Sequence, residues 1–600
     1  MTVERADGYW WRDAVMYQLY PRSFKDHNGD GIGDLQGIID GLPYLQKMGV
    51  DGIWINPICK AGSADGGYDV IDYKKIDEQF GSLADFELLI RSVHAAGMHV
   101  IIDIVPNHTS TDHEWFKRAL AAGPGSAERD MYIFRNGRGK CGELPPTNWI
   151  SKMGGPAWQR VPDGQWYLHI YSKNQADLNW NNNKVREEFE GILRFWGDLG
   201  IDGFRVDVAN GLVKQIDGRD DLDDWTVEDD HCVDGRHPLW DRDGVHEIYR
   251  SWRKVFDEYD PPLMAVAEVS IVPEHESRYA SADELGQVFN FDLLKSIWTF
   301  DSIEAAIQAE LSSMNRTHSS ATWVLSNHDT PRVASRYGLP QISQKQPFRL
   351  AQDWLLRDGT SYEEDRSVGM QRARSAALLE FMLPGSVYIY QGDELGLPEV
   401  ATIPWDRLED PTAVDSVHQN SLKGRDGCRI PLPWRSSDKP HSASWSSEFG
   451  EGASFGFSPS AKRDGSPSSE PHLPQPMYFG EYAVDEQQGK AESMLCLYTK
   501  AIRLRHELFE GSVYASSQEV TWMSCNGPSQ CTDGADGQAG GILALQRESV
   551  NGRHIACIVN FSADPFTLPA GEVLLSSGRQ TDGKLPQDTC VWLALSEGGQ

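Results

Sequence analysis

Three short segments limit the fold of this chain more than any other feature of its sequence. Each ends an apolar, strand-like run on a carboxylate: Gly203–Asp207, Ala267–Glu268 and Asn327–Asp329. Acidic side chains from three strands can meet only where the strands are neighbours, run parallel and end on one face. That geometry is typical of a (β/α)8 TIM barrel, in which functional side chains follow the carboxyl ends of the strands.

Eight apolar runs alternate with amphipathic segments along the chain, which predicts parallel βαβ units and, with eight of them, a closed barrel. The predicted strands are Val15–Phe24, Gly52–Ile58, His99–Val105, Gly203–Val208, Leu263–Val269, Val288–Leu293, Trp323–Leu325 and Val387–Tyr390. The helical segments between them include Leu35–Met48, Leu83–Ala96, Lys184–Leu199 and Asp301–Met314.

The barrel is predicted to be interrupted once and followed by a second domain. We expect residues 1–106 to form the first part of the barrel, 107–177 an inserted loop-rich domain after strand 3, 178–510 the rest of the barrel and 511–600 a C-terminal antiparallel β-sandwich. Long loops are expected after strands 7 and 8, and the last barrel helix at Ala491–Leu508. The segment Ser436–Pro476 is either a flexible linker or an ordered loop, and its aromatic residues favour the loop.

Composition excludes several classes of protein. The net charge of −32 over 600 residues disfavours nucleic acid and anionic membranes as partners, although general solubility explains it equally well. Nine cysteines without a CxxC pair argue against zinc and a disulfide framework. No apolar run approaches the roughly 20 residues of a membrane span. The N-terminus lacks an apolar signal core, so we expect a cytoplasmic protein without a membrane partner.

The spacing of Arg205 and Asp207 places both side chains on one face of a strand. A guanidinium beside a carboxylate keeps the carboxylate ionised by lowering the pKa of its acid. An ionised and positioned carboxylate is what a nucleophile needs in order to attack the anomeric carbon of a sugar. Glu268 ends an apolar strand, where a raised pKa suits a general acid. The alternatives are a structural ion pair for the first two residues and a solvent-exposed strand end for Glu268.

Further polar side chains follow other predicted strands. Asp329 is a third carboxylate, for binding sugar hydroxyls and supporting positive charge at an anomeric carbon, unless Asn327–Asp329 is only a helix cap. His108 and His328 are candidates for hydrogen-bond donors to a sugar ring. A single histidine is more often structural, but two histidines and three acids at strand ends favour a binding site.

The segment Asp26–Asp34 alternates oxygen-bearing side chains with glycines. Asp26, Asn28, Asp30, the Ile32 position and Asp34 fit a ring of oxygen ligands for a structural Ca²⁺ or Mg²⁺. The loop lacks the distal glutamate of an EF-hand, and an Asx-turn loop without metal is the alternative. We favour Ca²⁺, because the clustered acids need a counter-charge.

Together these motifs resemble the α-amylase superfamily of retaining glycosidases, and within it the α-glucosidase/oligo-1,6-glucosidase branch. The resemblance runs nearly end to end, from Tyr17–Phe24 through Asp103–His108 and Gln175–Trp180 to the terminal β domain. Ala176 departs from the proline usual in this branch. Some features are similar to actinobacterial α-glucosidases, notably Gly203–Leu212 followed by Val213 and Lys214.

The resemblance implies roles for the candidate residues. Asp207 would be the nucleophile, Glu268 the acid/base and Asp329 the transition-state stabiliser, with Arg205, His108 and His328 assisting at the −1 sugar. The resemblance also implies that Asp65 binds the non-reducing-end hydroxyls, that Tyr68 stacks under the ring, and that Arg425 pairs with Asp65 to close the pocket. A pocket closed behind one glucose gives exo action.

The sequence therefore predicts an exo-acting retaining α-glucosidase that takes small oligosaccharides or disaccharides and needs no organic cofactor. The alternatives are a transglucosylase or sucrose isomerase on the same scaffold, and a non-catalytic relative, which the three retained acids make the weaker choice. The resemblance implies that a valine directly after the nucleophile, here Val208, favours hydrolysis of α-1,6 linkages. The likeness to actinobacterial α-glucosidases, which act on maltose-type substrates, favours α-1,4 linkages instead. The acidic segment Asp217–Asp243 either shapes the aglycone side or is a solvated charge run. The sequence carries no signal for the oligomeric state.

Overall fold

The structure is a computed structural model of the chain. It describes residues 9–228, 235–317, 319–342, 347–414, 422–436, 448–449, 454–509, 519–525, 531–533 and 541–596. Parts of the segments Asp217–Asp243 and Ser436–Pro476, including Trp445, lie outside the described residues.

Eight parallel strands form the predicted barrel, in the spatial order 6-5-4-3-2-1-8-7. A single bridge between Asn290 and Trp323 links the sixth and seventh strands and nearly closes the sheet. The sixth strand was predicted too late in the chain, because Val288–Leu293 is equally apolar but its second half is the helix Phe291–Lys295, capped by the Asn290 side chain. The strands are Val15–Leu19, Gly52–Ile55, His99–Ile104, Gly203–Val206, Met264–Ala267, Gly286–Val288, Thr322–Val324 and Ser386–Tyr390.

Helices cover the outside of the barrel, and local capping sets their ends. The helix Leu35–Met48 begins where the Asp34 carboxylate accepts the N–H of Gly37, and it ends at Gly49, whose φ of 92° few other residues adopt. The helix Leu83–Ala95 begins with a capping box between Ser82 and Asp85. The remaining helices of at least five residues are Glu114–Ala122, Asn183–Asp198, Gly244–Phe256, Pro273–Tyr279, Phe291–Lys295, Phe300–Thr317, Val333–Gly338, Pro347–Leu356, Arg366–Met382 and Met494–Phe509.

Two excursions leave the carboxyl ends of the second and third strands. After strand 2, the hairpin Cys59–Ala61 and Val70–Ile76 carries Asp65 and Tyr68 on its loop. After strand 3, His108–Ser110 pairs with Gln175–Asp177, and Phe134–Asn136, Trp158–Arg160 and Gln165–Leu168 form a three-stranded antiparallel sheet. Both excursions stand on the face where the strands end.

An apolar cluster joins the excursion after strand 3 to the loop after strand 4. We call it the wall cluster; it contains Ile133, Trp149, Ala157, Trp158, Leu168, Ile170, Val208, Ile216, Val227, Leu239 and Trp240. Its polar edge is also paired, because Arg135 contacts Asp217 and Arg138 contacts Asp223, both at 2.5 Å. The described part of the acidic segment Asp217–Asp243 is therefore docked rather than free in solvent.

The end of the chain forms antiparallel sheets. A six-stranded sheet contains Thr521–Cys525, Cys531–Asp533, Ile542–Glu548, His554–Asn560, Gly571–Ser576 and Thr589–Leu595, and a two-stranded sheet pairs Phe566–Thr567 with Lys584–Leu585. These sheets agree with the antiparallel β structure predicted for the end of the chain. Trp592 docks the large sheet on the barrel by donating to the carbonyl of Leu378, 2.9 Å away.

Two further expectations concern the loops and the membrane. Phe449, Phe455 and Phe457 are buried, which agrees with an ordered loop in the described part of Ser436–Pro476. Among the residues that the structure describes, no helix is long and apolar enough to cross a membrane.

Candidate active site

The guanidinium of Arg205 gathers three carboxylates at the ends of the third, fourth and fifth strands. Its Nη1 atom lies 2.8 Å from Asp103 and 2.7 Å from Asp207, and its Nη2 atom lies 2.8 Å from Glu268. Arg205 and Asp103 are fully buried, whereas the Glu268 side chain is 26 % exposed. Asp207 and Glu268 are therefore held side by side, with Glu268 nearer the mouth.

Two of the three carboxyl groups around Arg205, those of Asp207 and Asp103, have a raised pKa. Burial raises the pKa of Asp207 well above its ordinary value, and repulsion from Glu268 and Asp103 adds to this, although Arg205 opposes it. Burial likewise raises the pKa of Asp103 to about 6 against the opposing effect of Arg205. Arg205 does act to lower the pKa of Asp207, but the expectation that this pKa is lowered overall is wrong, because burial and two neighbouring carboxylates outweigh one guanidinium.

Asp329 lies in the opposite electrostatic environment. Burial alone would raise its pKa, but His328, Arg425 and Arg429 outweigh burial and hold the pKa well below its usual range. Its Oδ1 atom accepts from both arginines at 2.9 Å, and its Oδ2 atom lies 3.3 Å from Nε2 of His328. Asp329 is therefore ionised at neutral pH, whereas Asp207 holds a proton more readily.

An arginine closes the floor of the site. Nη2 of Arg425 lies 2.8 Å from Asp65, and its Nη1 reaches Asp329. The fully buried Asp410 fixes the orientation of this arginine, since its Oδ2 accepts from the backbone N–H of Arg425 at 2.9 Å and from its Nε at 2.5 Å. The Asp65–Arg425 bridge implied by the resemblance is thus present, and Asp410, which the sequence did not single out, holds it in place.

The two histidines flank Tyr68 from opposite sides. Nε2 of His328 lies 2.6 Å from the Tyr68 hydroxyl, and Nε2 of His108 lies 3.1 Å from the Tyr68 carbonyl. Burial lowers the pKa of both imidazoles, so both are neutral at neutral pH. A neutral imidazole with a hydrogen on Nε2 presents one donor and no net charge.

A buried lysine connects the strand-3 excursion to the loop that follows Asp207. Nζ of Lys214 lies 2.8 Å from Asp177 and 2.5 Å from the Oδ1 atom of Asn107. The second Asp177 oxygen accepts the backbone N–H of Ile170 at 2.8 Å. Lys214 therefore connects the backbone beside His108 to the loop that follows Asp207.

Val208, which follows the candidate nucleophile, has an unusual backbone. Its φ of 48° lies in the left-handed region, which is strained for a β-branched residue. The backbone N–H of Val208 points at Glu268 Oε2, 3.2 Å away, and the side chain is anchored in the wall cluster. The strained residue thus contacts the candidate acid/base while its side chain packs into the wall cluster.

Several residues of the site were missed by sequence reasoning. Asp103 lies near the end of the third predicted strand, as Asp207 does in the fourth, and that position was its available signal. Gln18, Asn56, Asp410 and Arg429 carry no local signal, because the partners that place them in the site lie at least 12 residues away along the chain.

The loop 26–34 has oxygen chemistry suited to a hard cation but uses much of it internally. Asp26 accepts the N–H groups of Gly29 and Gly31 at 2.6 and 2.9 Å, and Asn28 Oδ1 accepts that of Asp30 at 2.8 Å. Asp34 caps the following helix. Among the described residues, no group of three or more His, Cys, Asp or Glu side chains is arranged to hold a metal ion.

Comparison with known proteins gives a consistent result. The sequence pattern of the α-amylase catalytic domain matches residues 18–360 and 355–449. The chain is 34 % identical over 458 residues to the oligo-1,6-glucosidase of Halalkalibacterium halodurans, covering 71 % of this chain and 75 % of that protein. It is 35 % identical over 459 residues to a trehalose-6-phosphate hydrolase of Bacillus subtilis, covering 72 % and 75 %. The fold is similar to that of the α-glucosyl transfer enzyme XgtA, with a TM-score of 0.77, 30 % identity and 98 % and 99 % coverage.

Proposed function

The chain belongs to the α-amylase family of glycoside hydrolases, and we propose that it is an exo-acting α-glucosidase that releases glucose from short α-glucosides with retention. The observation that carries the proposal is the shared guanidinium of Arg205, which holds Asp207 beside Glu268 at the ends of adjacent barrel strands. A close pair of carboxylic acids is the equipment of a retaining glycosidase.

In the proposed mechanism, a carboxylate oxygen of Asp207 attacks the anomeric carbon while Glu268 donates its proton to the leaving oxygen. The glycosidic bond breaks and a β-glucosyl ester with Asp207 forms. Glu268 then takes a proton from water, whose oxygen attacks the anomeric carbon and releases Asp207. The two carboxyl groups are expected to lie about 5–5.5 Å apart across the sugar. These steps use two carboxylates and water, so they call for no organic cofactor.

Asp329 and the histidines support the transition state in this proposal. The ionised Asp329 lies where it can oppose the positive charge that develops on the sugar. His108 and His328 offer Nε2 donors to ring hydroxyls. Asp65 and Arg425 end the pocket behind the ring, and Tyr68 contacts both histidines. A floor closed by an ion pair admits one terminal glucose, which favours exo action.

The substrate is proposed to be a neutral disaccharide or short oligosaccharide. Relatives include oligo-1,6-glucosidases and trehalose-6-phosphate hydrolases. Two arginines at the polar edge of the wall cluster, Arg135 and Arg138, are already paired with Asp217 and Asp223 and so are not free to bind a phosphate. The net charge of −32 also opposes an anionic substrate. We therefore place maltose and isomaltose ahead of phosphorylated sugars.

A transglucosylase or sucrose isomerase is the second candidate. It is supported by the likeness to XgtA and to trehalulose synthase MutB, the latter with a TM-score of 0.75 and 26 % identity over 98 % of this chain. The chemistry up to the glucosyl ester would be the same, and only the acceptor would differ.

Initial rates on maltose, isomaltose, sucrose and trehalose 6-phosphate, with every product quantified, test both candidates. We expect glucose to be released first as its α-anomer, and Asp207→Asn to lower kcat by about 10⁴-fold or more. The exposed Asp283→Asn is the matched control and should retain activity. First release of β-glucose would contradict retention, and mainly new oligosaccharides or sucrose isomers would favour the transferase.

Two finer assignments complete the proposal. A structural Ca²⁺, or Mg²⁺ in its place, would be held by the side chains of Asp26, Asn28, Asp30 and Asp34 and the carbonyl of Ile32; the all-oxygen donor set supports this. A cytoplasmic location is supported by the nine scattered cysteines, whose odd number and spacing do not form the pattern of a disulfide framework. The domain boundaries and the nucleophile, acid/base and substrate-binding roles given above are part of the same proposal.

A further inference from the structure

A closed set of hydrogen bonds joins His328 to four other buried polar side chains, those of Gln18, Asn56, Tyr68 and Asp103. Nε2 of Gln18 lies 2.8 Å from Nδ1 of His328 and 2.8 Å from Oδ1 of Asn56. Nδ2 of Asn56 lies 2.9 Å from the Tyr68 hydroxyl and 3.2 Å from Asp103. The hydroxyl of Tyr68 lies 2.6 Å from Nε2 of His328, which closes the set, and it donates to Asp103 at 3.3 Å. At most 6 % of any of these residues is exposed, so water cannot exchange the roles of donor and acceptor.

The direction of each hydrogen bond in this set follows from Arg205. The Asp103 carboxylate is held by Arg205 and can only accept, so Asn56 must turn its amide nitrogen towards Asp103. The amide oxygen of Asn56 then faces Gln18, which obliges Gln18 to present its own amide nitrogen. That nitrogen donates to Nδ1 of His328, and a neutral imidazole whose Nδ1 accepts carries its hydrogen on Nε2.

We infer that Gln18 is a positioning residue that fixes His328 as the neutral Nε2–H tautomer. This inference rests on the proposed function for its catalytic meaning. The Nε2–H group is the one that faces Tyr68 and Asp329, on the pocket side. Three guanidinium groups, those of Arg205, Arg425 and Arg429, also act on this imidazole. A second proton on His328 would add positive charge where the sugar becomes positive in the transition state.

The first test is the tautomer in the unaltered protein. Ring-¹⁵N-labelled histidine distinguishes a protonated from an unprotonated nitrogen by its chemical shift, and His328→Asn assigns the signal by removing it. We expect an unprotonated Nδ1 and a protonated Nε2 at neutral pH, without any substrate. A protonated Nδ1 on His328 would overturn the inference whether or not the protein hydrolyses α-glucosides.

The second test is Gln18→Glu, which keeps the shape and turns the donor into an acceptor. A carboxylate facing Nδ1 requires a proton there, so His328 either loses its Nε2–H donor or becomes cationic. We expect a protonated Nδ1 signal. We also expect kcat/KM to fall by about 100-fold, which is typical for the loss of one preorganised hydrogen-bond donor. Retention of kcat/KM within about threefold of the unaltered protein would refute the role of Gln18.

The matched control is Gln287→Glu, on the sixth strand of the same barrel. Gln287 is fully buried and donates to Ser386 Oγ at 2.7 Å, so this change also buries a carboxylate, but at a distance from His328. It should leave the His328 signal and kcat/KM unchanged; an equal loss of activity would assign the Gln18→Glu effect to buried charge in general.

If Gln18→Glu does not fold, Gln18→Met removes the donor without adding charge and should produce a mixture of both His328 tautomers. An unchanged single tautomer in that variant would refute the inference. Glucose release by the unaltered protein tests the proposed function separately.

Discussion

Replacing the buried Asp393 by asparagine should stabilise the folded protein more at pH 8 than at pH 4. The raised pKa of Asp393 gives the size of the difference. Asp393 follows the eighth strand and is 4 % exposed, and its Oδ1 atom has no hydrogen-bond partner among the described residues. Burial raises the pKa of Asp393 to about 7 from an ordinary value of 3.8, against the opposing effects of Arg332 and Ser326. Asp393→Asn removes the ionisation and nearly keeps the shape.

The sign follows from proton linkage. Because the folded-state pKa is raised, the folded protein binds this proton more tightly than the unfolded chain does, so stability falls as the pH rises from about 4 to about 7. A shift of about 3 pKa units corresponds to about 4 kcal/mol. Asp393→Asn should therefore gain about 4 kcal/mol relative to the unaltered protein between pH 4 and pH 8. Any effect of the amide on packing is constant with pH and cancels in this comparison.

Thermal unfolding at matched ionic strength measures the effect. An unfolding entropy of about 2.1 cal/mol/K per residue gives about 1.3 kcal/mol/K for 600 residues. A gain of about 4 kcal/mol therefore means that the Tm of Asp393→Asn minus the Tm of the unaltered protein is about 3 °C larger at pH 8 than at pH 4. Asp410→Asn is the control of opposite sign. Burial would raise the pKa of Asp410, but Arg425 and Arg429 lower it, so this variant should be destabilised most above pH 4 and least in acid. A Tm difference for Asp393→Asn that does not change with pH, or that falls with rising pH, would refute the reasoning.

Three further perturbations test other parts of the site. Arg425→Met should lower kcat/KM on disaccharides and cost about 3–5 kcal/mol of stability, because it leaves the buried Asp65 carboxylate without its cation; rates on maltose and the Tm measure both. Lys214→Met should cost a similar 3–5 kcal/mol by leaving Asp177 unpaired, seen as a Tm lower by about 2–4 °C. If the loop 26–34 holds Ca²⁺, a chelator should lower the Tm and added Ca²⁺ should restore it, whereas an unchanged Tm would exclude a stabilising ion.

The elements of the barrel could be predicted because local patterns determine them. Apolar runs and amphipathic periods give seven of the eight strands, and the five helices named from the sequence, to within about five residues, and the cap at Asp34 and Gly49 sets the ends of one helix. The sixth strand was misplaced because Phe291–Leu293 is as apolar as the strand before it. Only the side chain of Asn290, which accepts the N–H of Leu293, distinguishes the start of a helix there.

The site was predictable where one residue type at a strand end carries the signal, and was not where the role depends on orientation. Asp207, Glu268 and Asp329 could be named from their positions alone. Gln18 and Asn56 are ordinary polar residues in sequence, and their importance comes from which amide atom faces which neighbour. That orientation depends on a carboxylate that follows Asn56 by 47 residues, so no local pattern can reveal it.

The incorrect expectation for Asp207 shows what a motif leaves out. Arg205 and Asp207 two residues apart suggest an ion pair with a lowered pKa, but the motif does not show that Asp103 and Glu268 share the same guanidinium. One positive charge is shared by three neighbouring carboxyl groups. Burial raises the pKa of Asp207 in the free protein, and repulsion from Glu268 and Asp103 adds to this, although Arg205 opposes it. Nucleophilic attack nevertheless requires an ionised Asp207. The sugar must therefore favour an ionised Asp207 when it binds, and the pH dependence of kcat/KM should report the pair rather than either acid alone.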